Sequence, residues 1–590
     1  MTHHQAIEAP LLHFDFYDHQ GVHQPVCFTN PVQVIAATEI EEVQSVLRLV
    51  QRAVDKGFYA AGFVSYEAAP AFDSAFVVRT GNQLPLAWFG LFEAPTPLLQ
   101  PTNDAFHLSN WTPDVRESEF ADRIAAIRSA IERGDTYQVN YTLRLHAQFE
   151  GDDWALYQHL YRAQQAHYCA YLNLGRYRIL SVSPELFFRW DGAQLMTRPM
   201  KGTMPRGRWL EEDKVYAAQL AASEKDRAEN LMIVDLLRND IGRVAAIGSV
   251  QVPELFTVER YPTVWQMTST ITAETHPDTT LNDIMTALFP CGSITGAPKI
   301  STMQYIAELE NSPRDVYCGA IGYMAPGNQA VFNVAIRTVL LDTQTNQAVY
   351  GVGSGITWDS TATGEYAEVQ TKAALLTEPQ PMFELLETLL LDHGNYTLLD
   401  RHLQRLSDSA EYFGIPLTPD TVRKSLVEYA QKYQNEMRRV RLLMARDGTP
   451  RLESTPYQPL PDTPQPVALA HTLVSSKDRF LYHKTTHRVA YEIHRSAHTD
   501  VFDVLLWNEA GELTEFTIGN VVLELDDCRW TPPQHCGLLA GVMRGELLAQ
   551  GVIYERVLTQ ADLAQAKRIW LINSVRGWVP VYFINLMKNG

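Results

Sequence analysis

The stretch TRPMKGTMPRG, Thr197 to Gly207, sets Lys201 between a proline turn and a glycine, with Arg198 and Arg206 near it in the chain. A neutral lysine amine is a nucleophile, and a protonated one clamps a phosphate or carboxylate. A lysine in a Gly/Pro loop is most often a solvated charge, and local sequence alone favours that for Lys201. Two pairs of carboxylates are spaced for other chemistry. Asp226 and Glu229 in SEKDRAENLMIVDLLRND, and Glu365 and Glu368 in TGEYAEVQTKA, are each separated by one helical turn. Such faces are ordinarily solvated and salt-bridged, but two pairs on separate helices could converge on Mg²⁺, which takes a few carboxylates plus water and substrate oxygens. Arg337 at the end of an apolar strand and Lys372 beyond the second pair are natural anion partners. The backbone of GVGSGITWD could take a carboxylate, although neither it nor CGSITGAPK has the spacing or context of a phosphate or dinucleotide loop. Glu515 lies within an apolar strand, flanked by Thr514 and Thr517, and a carboxylate there needs a partner.

These residues need elements to hold them. VYCGAIGYM, AVFNVAIRTVLL and QAVYGVGSGITW are read as consecutive strands with Gly-rich turns. FADRIAAIRSAIERGD and SEKDRAENLMIVDLLRND are read as helices, the second with Ser223 as N-cap. Strands that come in runs, not in strict alternation with helices, predict an α+β fold with antiparallel sheet. A helical stretch that runs into Pro379 and Pro381 predicts a boundary near residue 378, between a unit over 1–378 and one over 379–590. In the second unit FELLETLLLDHGNYTLLDRHLQRLSDSAEYFGIPL predicts a strand, a turn at Gly394 and an amphipathic helix with Leu403, Leu406 and Tyr412 in the core. FDVLLWNEAGELTEFTIGNVVLEL predicts a hairpin turning at Glu509 to Gly511.

With 590 residues, 46% hydrophobic and 20% charged, the chain has ample core for several domains. A net charge of -19 leaves no basic footprint for nucleic acid or an anionic membrane. No apolar run reaches the length of a membrane span, and the N-terminus lacks the pattern of a secretory signal. Six scattered cysteines without a C-x-x-C pair argue against a zinc site and a disulfide framework, so a reduced, cytoplasmic enzyme is expected.

SPELFF, RPMKGTMPRG, ENLMIVDLLRNDIGRV, SITGAPK, YCGAIGYM, AIRT and GVGSGITWDSTATGEYAEVQTKA follow one another in an order that resembles the chorismate-utilising enzymes, over about residues 110–375. GFVSYEAAPAFD, further toward the N-terminus, is similar as well. The resemblance implies an α/β sandwich around large antiparallel sheets. It implies Mg²⁺ on Glu229 and Glu368, with Asp226 and Glu365 outside them, and substrate held by Arg337, Lys372, Thr295 and the backbone of Gly353, Ser354 and Gly355. Anthranilate synthases of this family carry alanine at the place of Lys201. The Pro-x-Lys-Gly-Thr seen here resembles the aminodeoxychorismate synthases, which implies a nucleophilic Lys201 that adds at C2 of chorismate before ammonia arrives at C4. Such a lysine must be partly neutral, through desolvation or a cationic neighbour, for which Arg198 and Arg206 are candidates. Glu185 matches the family's general acid. Gln138 stands where isochorismate synthases have a water-activating lysine, and Gln266 where anthranilate synthases have histidine. No Gly-x-Cys-x-Gly loop of a glutaminase is present, so ammonia is expected from a separate glutamine amidotransferase or from ammonium.

HLQRL, HKTTHR, NEAGELTEFTIGNVV, TPPQHCGLLAGVMR and INSVRGWVPV, over about residues 383–585, resemble the fold type IV pyridoxal-phosphate enzymes. That group includes aminodeoxychorismate lyases and the branched-chain and D-amino-acid aminotransferases. The resemblance implies a two-subdomain unit, expected to pair as a homodimer, in which Lys484 bonds the cofactor and Glu515 meets its ring nitrogen. Arg405 would contact the phosphate, with the backbone at Ile518–Gly519 and Gly541–Val542. The two resemblances together imply 4-aminobenzoate synthesis for folate: amination of chorismate, then elimination of pyruvate. The alternatives are an anthranilate-type synthase joined to an aminotransferase-like unit, or an inactive second unit that serves as a scaffold.

Overall fold

The computed structural model describes residues 10–18, 20–102, 104–377 and 381–584. The boundary expected near 378 lies outside the described residues. The chain divides into two compact units, Met1–Pro205 with Ala217–Gln380, and Arg206–Tyr216 with Pro381–Gly590. The second unit is thus built from two stretches of chain, and the shorter one was not singled out by any sequence pattern.

The first unit is a sandwich of two sheets, each ten-stranded. One runs in the order Gln138–Gly151, Gln347–Ile356, Thr338–Asp342, Tyr177–Ser183, Tyr168–Asn173, Leu11–Tyr17, His23–Thr29, with Gly296–Ala297 on its first edge. The other begins with Met200–Pro205 and Val264–Glu274 and passes through Leu186–Asp191 and Gln329–Val334 to Gln33–Ala37. The described pairings in both are antiparallel. Alternation along strands decides what each face meets. Leu12, Phe14 and Phe16 turn inward to pack with Phe63, Ile321 and Val331 of the opposite sheet. The outer faces carry helices: Glu117–Glu132, Asp153–Gln164 and Ala362–Ala373 on the first sheet, and Ile40–Asp55, Glu224–Gly242 and Leu281–Leu288 on the second.

Ser223 caps Glu224–Gly242 as its sequence predicts, its hydroxyl accepting from the Asp226 amide. AVFNVAIRTVLL departs from expectation. It is two strands in different sheets, Gln329–Val334 and Thr338–Asp342, broken where Arg337 adopts a φ of 53°. The apolar pattern was right; what it lacked was any signal that both halves are buried in separate layers.

The second unit has two parts. A four-stranded sheet, Asn395–Tyr396, Leu385–Asp392, Met437–Met444 and Pro450–Pro456, packs its apolar face on Leu399–Phe413 and Pro419–Ala430. Leu403, Leu406 and Tyr412 are core residues there, and Gly394 turns with a φ of 83°. An eight-stranded mixed sheet curls until Leu513–Phe516 pairs with both Asp503–Trp507 and Gly519–Leu525. Asn508 holds the hairpin turn, its side-chain oxygen accepting from the amides of Ala510 and Glu512.

A buried ion cluster lies inside the first unit. Glu310 accepts from Arg314 at 2.6 Å, from Arg144 at 3.2 Å and from the Thr142 hydroxyl at 2.7 Å, and all four residues are almost fully enclosed. Removing the carboxylate would strand two buried guanidinium groups. Glu310→Ala is expected to lower the unfolding free energy by about 3–5 kcal/mol, read as the midpoint shift in urea denaturation.

Candidate active sites

In the first unit two of the places where the chain passes from one sheet to the other lie side by side. Glu185 sits in the crossing from Tyr177–Ser183 to Leu186–Asp191, and Arg337 in the crossing from Gln329–Val334 to Thr338–Asp342. The crossings are laced together. The Val182 amide donates to the Arg337 carbonyl at 3.0 Å, and the Val334 amide donates to the Glu185 carbonyl at 3.1 Å. The Ser183 hydroxyl donates to the Val334 carbonyl at 2.6 Å.

Glu185 is buried and accepts a 2.5 Å hydrogen bond from the Ser293 hydroxyl. Burial pushes its carboxyl up to about 7, against the opposing pull of Ser293 and of the Lys201 charge. Lys201 therefore acts electrostatically on Glu185, and its Nζ lies 3.3 Å from Glu229 Oε2. The same charge, after that of Lys372 and ahead of Arg337, holds Glu368 below its ordinary value against burial. Lys201 stands among three carboxylates, so the surface charge favoured by local sequence is not what the fold makes of it.

Gly355 leaves room beside it. A Cβ on Gly355 would lie 2.7 Å from Lys201 Nζ and 2.6 Å from Gln138 Nε2. Gln138 is fully buried, and neither its Oε1 nor its Nε2 has a hydrogen-bond partner, which is uncommon for a buried amide. Gln266 has a plain positional task, its Nε2 donating to the Gly202 carbonyl at 2.8 Å and its Oε1 accepting from Thr203.

Of the four acidic residues expected to hold a metal, Glu229 and Glu368 are the two that Lys201 acts on directly. Asp226 accepts from Ser223 and lies against Gly202, while Glu365 is bonded by Ser354. Glu368 pairs with Lys372 at 2.6 Å, and Lys372 also donates to the Gly353 carbonyl at 2.8 Å. Arg337 donates to the Lys372 carbonyl at 2.7 Å. The acids are hard oxygen donors on two helices, which suits Mg²⁺. Among the described residues no group of three or more His, Cys, Asp or Glu is already gathered as a metal cage. Lysines balance Glu229 and Glu368 instead. Thr295 is fully buried, with its hydroxyl committed to the Cys291 and Gly292 carbonyls.

The two arginines that were candidate neighbours of Lys201 are paired with other acids. Arg198 pairs with Glu259 at 2.6 Å and Glu254 at 3.4 Å. Arg206 belongs to the second unit, where it pairs with Asp213 at 2.6 Å. Lys372 and Arg337 are the cations that share the surroundings of Lys201. Ser293 was missed by sequence reasoning, although it opens the SITGAPK motif.

In the second unit Lys484 precedes the helix Val489–Ser496, and its carbonyl accepts from the Leu386 amide at 2.9 Å. Burial, helped by Arg405 and Arg488, brings its amine down to about 7. Glu515 is buried and pushed up to about 7 by desolvation, and it accepts from Tyr491 at 2.8 Å, the Leu539 amide at 3.0 Å and Asn520 at 3.2 Å. The partner its strand demanded is thus a set of three donors. Arg405 is gripped bidentately by buried Glu387, at 2.9 and 2.6 Å, and donates to the Ala540 carbonyl at 3.4 Å. That brings it beside Gly541, N-cap of Val542–Ala549, where helix amides suit a phosphate. A Cβ on Gly541 would meet Asn520 Oδ1 at 1.9 Å. The Ile518 amide is spent on Asp503 at 3.1 Å, and Gly519 follows it into the next strand. A deep acid, a half-neutral lysine and an arginine at a helix start fit pyridoxal phosphate. Glu387 and Arg488 went unnoticed in the sequence because neither sits in a pattern that separates it from ordinary charge.

A family model described as chorismate binding enzyme matches residues 12–378, and one described as amino-transferase class IV matches residues 384–584. Aminodeoxychorismate synthase component 1 of Salmonella typhimurium is 43% identical over 281 residues, 47% of this chain and 61% of that protein. The chain therefore spans less than two thirds of that relative. Anthranilate synthase component 1 of Methanothermobacter marburgensis is 34% identical over 346 residues, 54% of this chain and 74% of that protein. The solved structure of anthranilate synthase component I from Streptococcus pneumoniae matches with a TM-score of 0.52 and 26% identity, covering 63% of this chain and 91% of that one. No helix among the described residues is long and apolar enough to cross a membrane. With its sandwich fold and a family model spanning most of its length, the chain belongs to the chorismate binding enzymes and carries a class IV amino-transferase domain behind that core.

Proposed function

We propose that the chain makes 4-aminobenzoate in two steps, amination of chorismate at C4 in the first unit and elimination of pyruvate in the second. The observation that carries this reading is Lys201 beside Glu229, with its charge felt at Glu185 and Glu368. The deprotonated Lys201 amine adds at C2, both conjugated ring double bonds shift by one position, and the C4–O bond breaks as Glu185 gives its proton to the departing hydroxyl. Ammonia then adds at C4, both double bonds shift back, the C2–N bond breaks, and Lys201 takes up the proton that ammonia gives up. Arg337, Lys372 and the backbone at Gly353–Gly355 hold the substrate carboxylates. Mg²⁺ on Glu229 and Glu368, with Asp226 and Glu365 outside them, would neutralise a carboxylate and orient the ring. The unpartnered Gln138 amide offers hydrogen bonds to an incoming nitrogen without the basicity to activate water. Ammonia would come from a separate glutamine amidotransferase.

In the second unit bound pyridoxal phosphate would supply an electron sink conjugated to the substrate amine. Lys484, its amine near 7, takes the proton from C4 of the ring and returns one to the enolpyruvyl group as it leaves. Glu515 keeps a proton on the cofactor's ring nitrogen, and Arg405 holds the phosphate. Pairing of two second units as a homodimer belongs to the same proposal.

The purified chain given chorismate, Mg²⁺ and ammonium is expected to release 4-aminobenzoate and pyruvate, and release of anthranilate instead would overturn the first step. Lys201→Ala is expected to cut formation of 4-amino-4-deoxychorismate by about 10³-fold or more, followed by chromatography of the products. Glu185 acts in its protonated form. With its carboxyl near 7, the fraction of Glu185 that carries the acid proton, and with it this limb of the rate, should fall as pH rises through that value. A pH–rate profile of Glu185→Gln should lose that limb while the rate drops about 10²–10⁴-fold. Lys484→Ala should abolish the absorbance band of bound cofactor and let 4-amino-4-deoxychorismate accumulate. Unchanged aromatisation in that variant would rule out the second step.

A further inference from the structure

A cavity opens in the first unit beside the strand Gln347–Ile356, at Val349 and Gly351, ahead of Gly353 and Gly355. It has a volume of about 250 Å³, enough for a small molecule and well above the space one water needs. Three strands make its floor, with Arg144, Leu340 and Val349 pointing into it. The segment from Ser312 to Tyr317 makes one wall, and Gly81 and Gln83 form the rim. None of the candidate catalytic, substrate or metal residues of either unit lines it.

Its polar groups are arranged but not satisfied. Arg144 is 3% exposed, and two of its nitrogens are engaged, one with Thr142 and one with Glu310 and the Pro313 carbonyl. Its Nε–H is buried without a partner. The Ser312 hydroxyl is also buried without a partner. A native interior rarely leaves two such donors unanswered in one place. Asp315 supplies the opposite polarity. Its Oδ1 accepts from the Gln83 and Leu84 amides at 2.7 and 3.0 Å, and its Oδ2 takes none of the described hydrogen bonds. Val316, Tyr317, Leu340 and Val349 give the lining an apolar and aromatic part, beside the polar side chains of His146, Arg314 and Thr338.

We propose that this cavity is a binding site for a small amino-carboxylate with a flat apolar body, its carboxylate on Arg144 Nε and Ser312 Oγ and its amino group on Asp315. A carboxylate accepts from both donors, and an N–H matches the Asp315 oxygen that takes none of the described hydrogen bonds. An aminobenzoate has both ends on a rigid ring, so little rotational freedom is lost on binding. 4-Aminobenzoate is also the product in the function proposed above, but the site rests on the chemistry of the cavity and not on that reading.

The test is calorimetric titration of the full chain, without turnover, using 4-aminobenzoate, benzoate and aniline. One site for 4-aminobenzoate is expected, with benzoate and aniline at least about tenfold weaker, because each lacks one end. Ser312→Ala removes one donor and Val349→Phe fills the cavity, and both should weaken 4-aminobenzoate at least about tenfold. Lys201→Ala and Lys484→Ala should leave it unchanged. If Val349→Phe does not fold, as judged by circular dichroism, Ser312→Ala decides alone. No binding, binding indifferent to Ser312→Ala, binding in which benzoate or aniline matches 4-aminobenzoate, or binding lost in Lys201→Ala or Lys484→Ala would each overturn the proposal. The last outcome would place the ligand in one of the sites already described, and none of these outcomes bears on whether 4-aminobenzoate is made.

Discussion

The first unit depends on two places where the chain leaves one sheet for the other. Backbone groups at such crossings cannot be served by either ladder, so they must serve each other. They do so through the amides of Val182 and Val334 and the carbonyls of Arg337 and Glu185. The bonds that repair the crossings also fix a carboxylate and a guanidinium at neighbouring points where the sheets part. The sandwich does not merely carry these two residues; its way of joining its layers dictates where they stand.

Charge balance explains much of what surrounds them. In the first unit Lys201 and Lys372 occupy the space among Glu229, Glu368 and Glu185, so the acids are kept close together without mutual repulsion deciding the geometry. The second unit solves a similar problem differently. Glu387 is fully committed to Arg405, with its carboxyl held at about 2 by that arginine and by His402 against burial, whereas Glu515 is served mostly by neutral donors and is driven up to about 7. Two buried glutamates in one unit thus differ in proton affinity because one faces a guanidinium and the other a phenol, an amide and a backbone N–H.

Motif order carried the family and most of the residues at both sites. Helix caps and turns such as Ser223 and Gly394 were visible because they depend on local chemistry. The division of AVFNVAIRTVLL was not visible, since an apolar run reads the same whether one sheet or two receive it. Nor could spacing reveal that Arg198 and Arg206, so close to Lys201 in sequence, are drawn to Glu259 and Asp213. Strand alternation and the division of the chain into units separate neighbours that a linear reading joins. Ser293 and Glu387 were missed for a related reason: each matters only through a partner about a hundred or about twenty positions away.

The short stretch Arg206–Tyr216 has a bearing on how such a chain can be cut or joined. Within the second unit Tyr412 donates to the Gly207 carbonyl at 2.7 Å, His483 Nε2 lies 3.2 Å from the Arg208 carbonyl, and Trp209 stacks near Tyr482. His483 is the residue before Lys484. A fragment begun at Pro381 would have the whole sheet framework yet lack the piece that closes over this corner, leaving a buried imidazole and a phenol each short of one hydrogen-bond partner. The second unit is therefore not a cassette that can be lifted out at one seam. Any free-standing counterpart must supply from its own sequence what is here lent by eleven residues encoded far upstream.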